Sequence, residues 1–211
     1  MLIQVDHTKR LLVNNLDLLC NEHPFGVKEY CFSDSFTRED VEDLINCLEE
    51  KYYSTGKILK NVPGLQTVYT IFSEEKFKKV QDTFLQCVRQ YVNQKQLIDN
   101  LDSGNYNVNS WCYKNWRSSG YNDESPEWHV HNRKHPDAIT GIFYLKLPQS
   151  LGGETKFHLG GNEFELPSNE LSWFLFPSNY PHAPGAVFSN ERRYCISADI
   201  WFDSLIWGNW F

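Results

Sequence analysis

Five of the seven histidines fall between positions 129 and 182, and three of them are spaced as metal ligands. His129-Val130-His131 sets two imidazoles at i and i+2, on the same face if the segment is extended. His182 follows 51 residues later, directly after Phe176-Pro-Ser-Asn-Tyr-Pro, a run that reads as a strand end entering a turn. Two close ligands and one distant one, brought together across a sandwich, make a facial metal site with positions left open for substrate or oxygen. Any one of these histidines alone reads first as a hydrogen-bonded or surface residue. The order His-x-His, strand, Gly-Gly, strand, Pro-His, strand with Arg turns the reading toward a metal.

Such a site needs a rigid frame, and the pattern of the chain supplies two kinds of element. Thr37-Arg-Glu-Asp40 has capping-box spacing, and Val41, Leu44, Ile45 and Leu48 follow at helical intervals, which predicts a helix from about Thr37 to Tyr53. A second helix is expected from near Ser73, with Phe77, Val80, Phe84 and Val88 in one stripe, and a short third over Gln94–Leu101. Residues 1–34 read as strands or irregular edge structure. From about Tyr106 short apolar runs are broken by Gly, Pro and Asn. Ile139–Leu147, Glu163–Leu166, Leu171–Phe176 and Tyr194–Phe202 read as strands of a sandwich or barrel. The expectation is one α+β domain over 1–211, with residues 1–105 as a mainly helical support. Residues 106–211 then form a double-stranded β-helix, a jelly-roll or cupin-like core.

Composition limits the function classes. The 211 residues are 41% hydrophobic and 22% charged, ordinary for a globular protein. All seven Trp lie between Trp111 and Trp210, which suits a β-rich second half. Twenty Lys and Arg against 27 Asp and Glu leave a net charge of −7, which argues against general affinity for nucleic acid. No apolar run is long enough for a membrane span, and Met1-Leu-Ile-Gln-Val-Asp lacks the basic start of a signal peptide. Six scattered cysteines with no CxxC pair read as reduced thiols. The expected setting is cytoplasmic.

Between Trp111 and Phe202 the sequence resembles the iron(II)- and 2-oxoglutarate-dependent oxygenases of the prolyl-hydroxylase-like branch, close to bacterial and phage members. His129-Val-His131 stands where that family has His-x-Asp. Ile139-Thr-Gly-Ile-Phe-Tyr-Leu145 resembles the strand that follows, Gly152-Gly-Glu-Thr-Lys-Phe157 the Gly-Gly turn, and Leu175-Phe-Pro-Ser-Asn-Tyr-Pro-His182 the strand delivering the distal histidine. Glu191-Arg-Arg-Tyr-Cys-Ile-Ser-Ala-Asp-Ile-Trp-Phe202 resembles the last core strand, which carries an arginine.

The resemblance implies iron(II) on His129, His131 and His182, with 2-oxoglutarate as cosubstrate. It also implies O2 as the oxidant and a protein side chain or small metabolite as substrate. Arg193, eleven residues after His182, would hold the far carboxylate of 2-oxoglutarate, since guanidinium offers a bidentate fork that stays charged. Arg193, Cys195 and Ser197 alternate and share a strand face; Cys195 stands where the family commonly has Ser, and Ser197 offers a hydroxyl instead. Tyr144 is placed for a second contact to that carboxylate. Arg192, facing the other way, is the alternative anchor. The implied reaction is hydroxylation of a C–H bond with release of succinate and CO2.

One departure matters: His131 occupies the place of the carboxylate ligand, leaving three neutral imidazoles. A literal His-x-Asp exists at His135-Pro136-Asp137, only nine residues before Tyr144 and interrupted by proline. A mixed site with Asp137 or Glu127 is a further alternative. His7, His23 and His158 read as surface or packing residues. Trp201, Phe202, Trp207, Trp210 and Phe211 read as packing rather than a substrate platform, and Tyr113, Trp116 and Arg117 as residues near a substrate path. Two other readings use the same residues. One is a three-histidine iron dioxygenase that needs no 2-oxoglutarate and so no buried cation opposite the metal; the other is a non-catalytic jelly-roll binding module.

Overall fold

The apolar strands of the second half are covered on both faces, and each face has its own core. In the computed structural model, described here for residues 8–13, 16–59, 64–92, 94–117, 128–131, 135, 138–149, 152–167 and 169–202, these strands build two antiparallel sheets. In the second half the strands are β6 (Asn107–Asn115), β7 (Ile139–Lys146), β8 (Thr155–Leu159), β9 (Asn162–Leu166), β10 (Ser172–Pro177), β11 (His182–Pro184) and β12 (Arg193–Trp201). Those of the first half are β1 (Thr8–Val13), β2 (Leu16–Glu22), β3 (Lys28–Cys31), β4 (Ile58–Leu59) and β5 (Leu65–Thr67). The large sheet runs β1-β2-β3-β10-β7-β12-β6-β5-β4 and the small one β11-β8-β9.

Side-chain alternation divides the large sheet cleanly. On β12 Tyr194, Ile196, Ala198 and Ile200 join one core, on β10 Trp173 and Leu175, and on β7 Phe143 and Leu145. Their neighbours Cys195, Phe174, Phe176, Ile142 and Tyr144 join the second core, shared with Phe157 and Leu166 of the small sheet. A strand buried on both faces must read as a continuous apolar run, which is why these segments were visible as strands.

Helices cover the first of these faces. The helix α1 (Arg38–Leu48) starts at a capping box in which Thr37 accepts from the Asp40 amide and Asp40 accepts from the Thr37 amide. It continues into a π turn over Glu49–Tyr53. The helix α2 (Lys78–Tyr91) buries Val80, Phe84, Cys87 and Val88 against the sheet, and the Trp173 indole donates to Thr83 Oγ1 at 3.0 Å. The helix α3 (Lys95–Ser103) ends at Gly104 in the left-handed conformation. Gly141 on β7 lets α2 approach: a Cβ there would lie 2.7 Å from the Phe84 ring and 3.0 Å from Trp173.

The first half is not only helical: strands β1–β3 lie within residues 1–34, where strands or irregular edge structure were expected, and β4 and β5 follow α1. Its strands widen the large sheet on both sides: β3 pairs with β10 on one flank and β5 with β6 on the other. These strands are short or carry polar residues, so their apolar periodicity is weak. Lys114 and Glu29 show how polar residues survive in such positions. Lys114, buried on β6, donates to Glu49 at 2.6 Å and lies 4.2 Å from the Tyr53 ring centroid. Glu29, buried on β3, accepts from Asn21 and Asn169 and pairs with His23.

None of the six cysteines is paired. Among the described residues no helix is long and apolar enough to cross a membrane.

Candidate active site

The face of the large sheet turned toward the small one carries the chemistry. Along β12 the alternating residues Arg193, Cys195, Ser197 and Asp199 line a cavity of about 740 Å³, together with Ile142 of β7 and Asn109, Trp111 and Tyr113 of β6. Register sets these side chains in rungs: Tyr113, Cys195 and Tyr144 lie side by side, as do Trp111, Ser197 and Ile142, and then Asn109, Asp199 and Thr140. At the strand rise of about 3.3 Å per residue, Arg193 and Asp199 are roughly 20 Å apart along the backbone. One end of the cavity is cationic and the other holds the histidines.

His129 and His131 sit on an extended segment pinned to the turn between β10 and β11. The amides and carbonyls of His129 and His182 exchange two hydrogen bonds of 3.0 Å, and the His131 amide donates to Ser178 O at 2.8 Å. That pairing puts both imidazoles on one side, facing His182. The ligating atoms of His129, His131 and His182 all lie within 4.8 Å of one another.

Each of two rings is held by its Nδ1. His182 Nδ1 is 2.9 Å from the Tyr180 carbonyl, which can only accept, so the ring donates there and leaves its Nε2 lone pair for a ligand role. Burial and the neighbouring His131 and His129 hold its pKa well below the ordinary value, so it stays neutral. His131 Nδ1 lies 3.0 Å from Asp199 Oδ1, a carboxylate that also accepts from Thr140 Oγ1 at 2.7 Å. Neutral ring nitrogens in this arrangement suit iron, copper, nickel or zinc. The donor set therefore fits a facial iron site.

At the other end Arg193 is 2% exposed. Its Nε donates to Gly153 O, and its guanidinium carbon lies 5.2 Å from the Tyr144 ring centroid. Among the described residues no carboxylate comes within salt-bridge distance of it. A buried cation in that situation calls for an anion from outside the chain. Hydroxyls stand beside it, since Tyr144 and Thr155 are hydrogen-bonded to each other and Thr155 lines the cavity. The pocket end thus fits the far carboxylate of a 2-oxo diacid. Burial pushes the Cys195 thiol up to about 11, so it lines this end as a neutral group.

The Gly-Gly turn has a packing reason. Gly152 and Gly153 have φ of +107° and +93°; a Cβ on Gly152 would meet Ala186 O at 2.3 Å, and one on Gly153 would meet the Arg193 side chain at 3.0 Å.

The remaining sequence candidates are placed elsewhere. His135 is outside the three-histidine cluster and stacks on Trp201 with centroids 5.3 Å apart. Its proposed companion Asp137, and Glu127, lie outside the described residues, as do His7, Trp207, Trp210 and Phe211. Arg192 is exposed, with its guanidinium 5.1 Å from the Trp116 centroid. His158 is an exposed residue of β8, 5.7 Å from the Trp128 ring, and His23 packs against Phe174. Phe202 is buried. Arg117 is held through its amide to Ser189 O. Sequence reasoning missed Asp199 and Thr140. The signal for Asp199 was present: it is the next step in the alternation that joined Arg193, Cys195 and Ser197.

Solved structures share this architecture at low sequence identity. HygX from Streptomyces hygroscopicus, solved with nickel, 2-oxoglutarate and hygromycin B bound, superposes with a TM-score of 0.59 at 13% identity, covering 85% of this chain and 84% of that one. The alpha-ketoglutarate-dependent epimerase SnoN from nogalamycin biosynthesis gives 0.58 at 11%, covering 84% and 78%. A prolyl-4-hydroxylase from Pseudomonas putida gives 0.54 at 12%, covering 85% and 94%. The fold is that of the 2-oxoglutarate- and iron(II)-dependent oxygenases. Within this fold the two sheets are the halves of the double-stranded β-helix, and the three histidines and Arg193 lie between them. No family profile matches the sequence, and no curated protein matches it.

Proposed function

We propose that the protein is an iron(II)- and 2-oxoglutarate-dependent dioxygenase that hydroxylates a C–H bond of a protein side chain or small metabolite, releasing succinate and CO2. The observation that carries this reading is Arg193, a buried guanidinium with no carboxylate partner among the described residues, at the far end of a cavity from three clustered imidazoles. A site that used the metal alone would have no need of that cation.

The chain's own residues divide the work. His129, His131 and His182 would hold iron on one face, leaving the side toward the cavity open. Arg193 would bind the distal carboxylate of 2-oxoglutarate through its fork, assisted by the Tyr144 and Thr155 hydroxyls. Iron(II) chelated by 2-oxoglutarate supplies oxidative decarboxylation coupled to C–H oxidation. Ile142 and Cys195 line the cavity between them. Trp111, with Tyr69 edge-on at 5.1 Å, and Trp128 line it from other sides and offer apolar faces to a substrate.

The test is an anaerobic titration of the iron(II)-loaded protein with 2-oxoglutarate, followed through the weak visible metal-to-ligand charge-transfer band. The expected result is a band in the wild type that is lost or much weakened in Arg193→Ala. Bound iron with no band at saturating 2-oxoglutarate would overturn the reading and favour the three-histidine dioxygenase.

A further inference from the structure

We infer that Asp199 is the carboxylate of this metal centre, acting on the ion through His131 instead of binding it. The inference rests on the three-histidine site holding a metal. Two imidazoles and one carboxylate leave a divalent ion with a net charge of +1, whereas three neutral imidazoles leave it at +2. The chain lacks the carboxylate at position 131, and it buries a different one a single hydrogen bond further out.

The geometry leaves Asp199 little other role. It sits on β12 in the same inward-facing row as Arg193, at the opposite end of the cavity. Its Oδ1 is 3.0 Å from His131 Nδ1 and accepts from Thr140 Oγ1, and the residue is 5% exposed. Thr140 Oγ1 is itself 3.3 Å from His131 Nδ1 and spends its proton on the carboxylate, so Asp199 receives two hydrogen bonds on one oxygen. Among the described residues no Lys or Arg reaches it, and its only ion-pair partner is the imidazole. A carboxylate accepting from Nδ1–H fixes the tautomer, aims Nε2 at the ion and makes the ring a stronger donor. His131 backed by Asp199 is therefore a ligand with part of a negative charge. The ring also packs on Trp111, with centroids 5.0 Å apart, which limits its rotation. Asp199 is a positioning residue in this scheme.

Cobalt(II) alone is the probe, titrated into wild type, Asp199→Asn, Asp199→Glu and Thr140→Val, with circular dichroism to confirm the fold. Asparagine keeps an acceptor oxygen for His131 and Thr140, removes the charge and replaces the other oxygen by an amide nitrogen. The cobalt dissociation constant is expected to rise roughly 10–100-fold in Asp199→Asn, as for other lost carboxylate partners of metal-bound histidines. Thr140→Val, which leaves the carboxylate and ring together, should stay within about threefold of wild type, and Asp199→Glu should retain more affinity than the asparagine variant. In the iron(II) and 2-oxoglutarate complex the charge-transfer band of Asp199→Asn should move to shorter wavelength, because a less electron-rich iron is harder to oxidise. Wild-type affinity for cobalt in a folded Asp199→Asn protein would overturn the inference. The cobalt titration needs no cosubstrate, so a missing charge-transfer band in the wild type would sink the 2-oxoglutarate reading without touching this result.

Discussion

Arg193 and Asp199 face the same cavity from the two ends of one inward row on β12, and neither neutralises the other. The cation awaits an external anion, while the anion is committed to His131. A single strand thus lays out the polarity of the whole pocket.

An apo protein that buries an uncompensated guanidinium sacrifices stability, and a ligand that supplies the counter-charge restores it. Arg193→Met is expected to leave the apo melting temperature unchanged or higher, since a buried guanidinium with no carboxylate partner among the described residues carries a desolvation cost that an apolar side chain does not. With metal present, saturating 2-oxoglutarate at about 100 times its dissociation constant should stabilise wild type by about 2.7 kcal/mol. The methionine variant should show no such shift. Thermal melts with and without 2-oxoglutarate check both statements.

His131→Asp places a carboxylate at the ligand position while Asp199 loses the imidazole to which it is bound. Two buried carboxylates then share one end of the cavity, which costs stability unless one is protonated. The single variant should melt lower than wild type, and Asp199→Asn added to it should recover part of the loss. A coupling of about 1–3 kcal/mol between the two changes is expected for residues in direct contact. Chemical denaturation of the four proteins of the cycle measures it.

Gly153→Ala tests the turn. The residue's φ of +93° is strained for any L side chain, and the added Cβ would sit 3.0 Å from the Arg193 side chain. A stability loss of about 1–2 kcal/mol is expected from the backbone alone. A weaker 2-oxoglutarate complex should accompany it, because Arg193 must move. Unchanged cosubstrate affinity in a destabilised variant would separate the turn from the anchor.

Glu29 gives the fold a dependence on acid. Burial alone would raise its pKa, but hydrogen bonds from His23, Asn169 and Asn21 outweigh it and hold the carboxyl below the ordinary glutamate value of 4.5. The folded pKa lies below the unfolded one, so the stabilisation is fully present above about pH 4.5 and is lost as pH falls through the lower folded value. Glu29→Gln should lower stability at neutral pH and flatten the acid limb of the stability curve between those two pKa values. Urea denaturation at several pH values reads the difference.

What could be seen in the sequence follows from which signals are local. The Thr37–Asp40 capping box and the stripe of Val80, Phe84 and Val88 are complete within a few residues, and both helices stand where periodicity puts them. The strands at Ile139–Lys146 and Arg193–Trp201 were legible because both faces are buried. The strand Asn107–Asn115 was not, because Ser110 and Lys114 are buried polar residues whose partners, the Phe72 amide and Glu49, lie far away in sequence. At the site, the spacing of His129, His131 and His182 could be read directly. The Asp199 partnership with His131 could not, since it needs the register of β12 against β7 to bring Thr140 alongside.

The pairing of Cys31 on β3 with Ser172 on β10 has a consequence for synthesis. At about 5–20 residues per second, the ribosome needs roughly 7–28 s to deliver β10 after β3 has been made. The first three strands must wait through that interval with one edge unmatched, and β5 awaits β6 in the same way on the other flank. The N-terminal half therefore emerges as a clamp with nothing yet to hold.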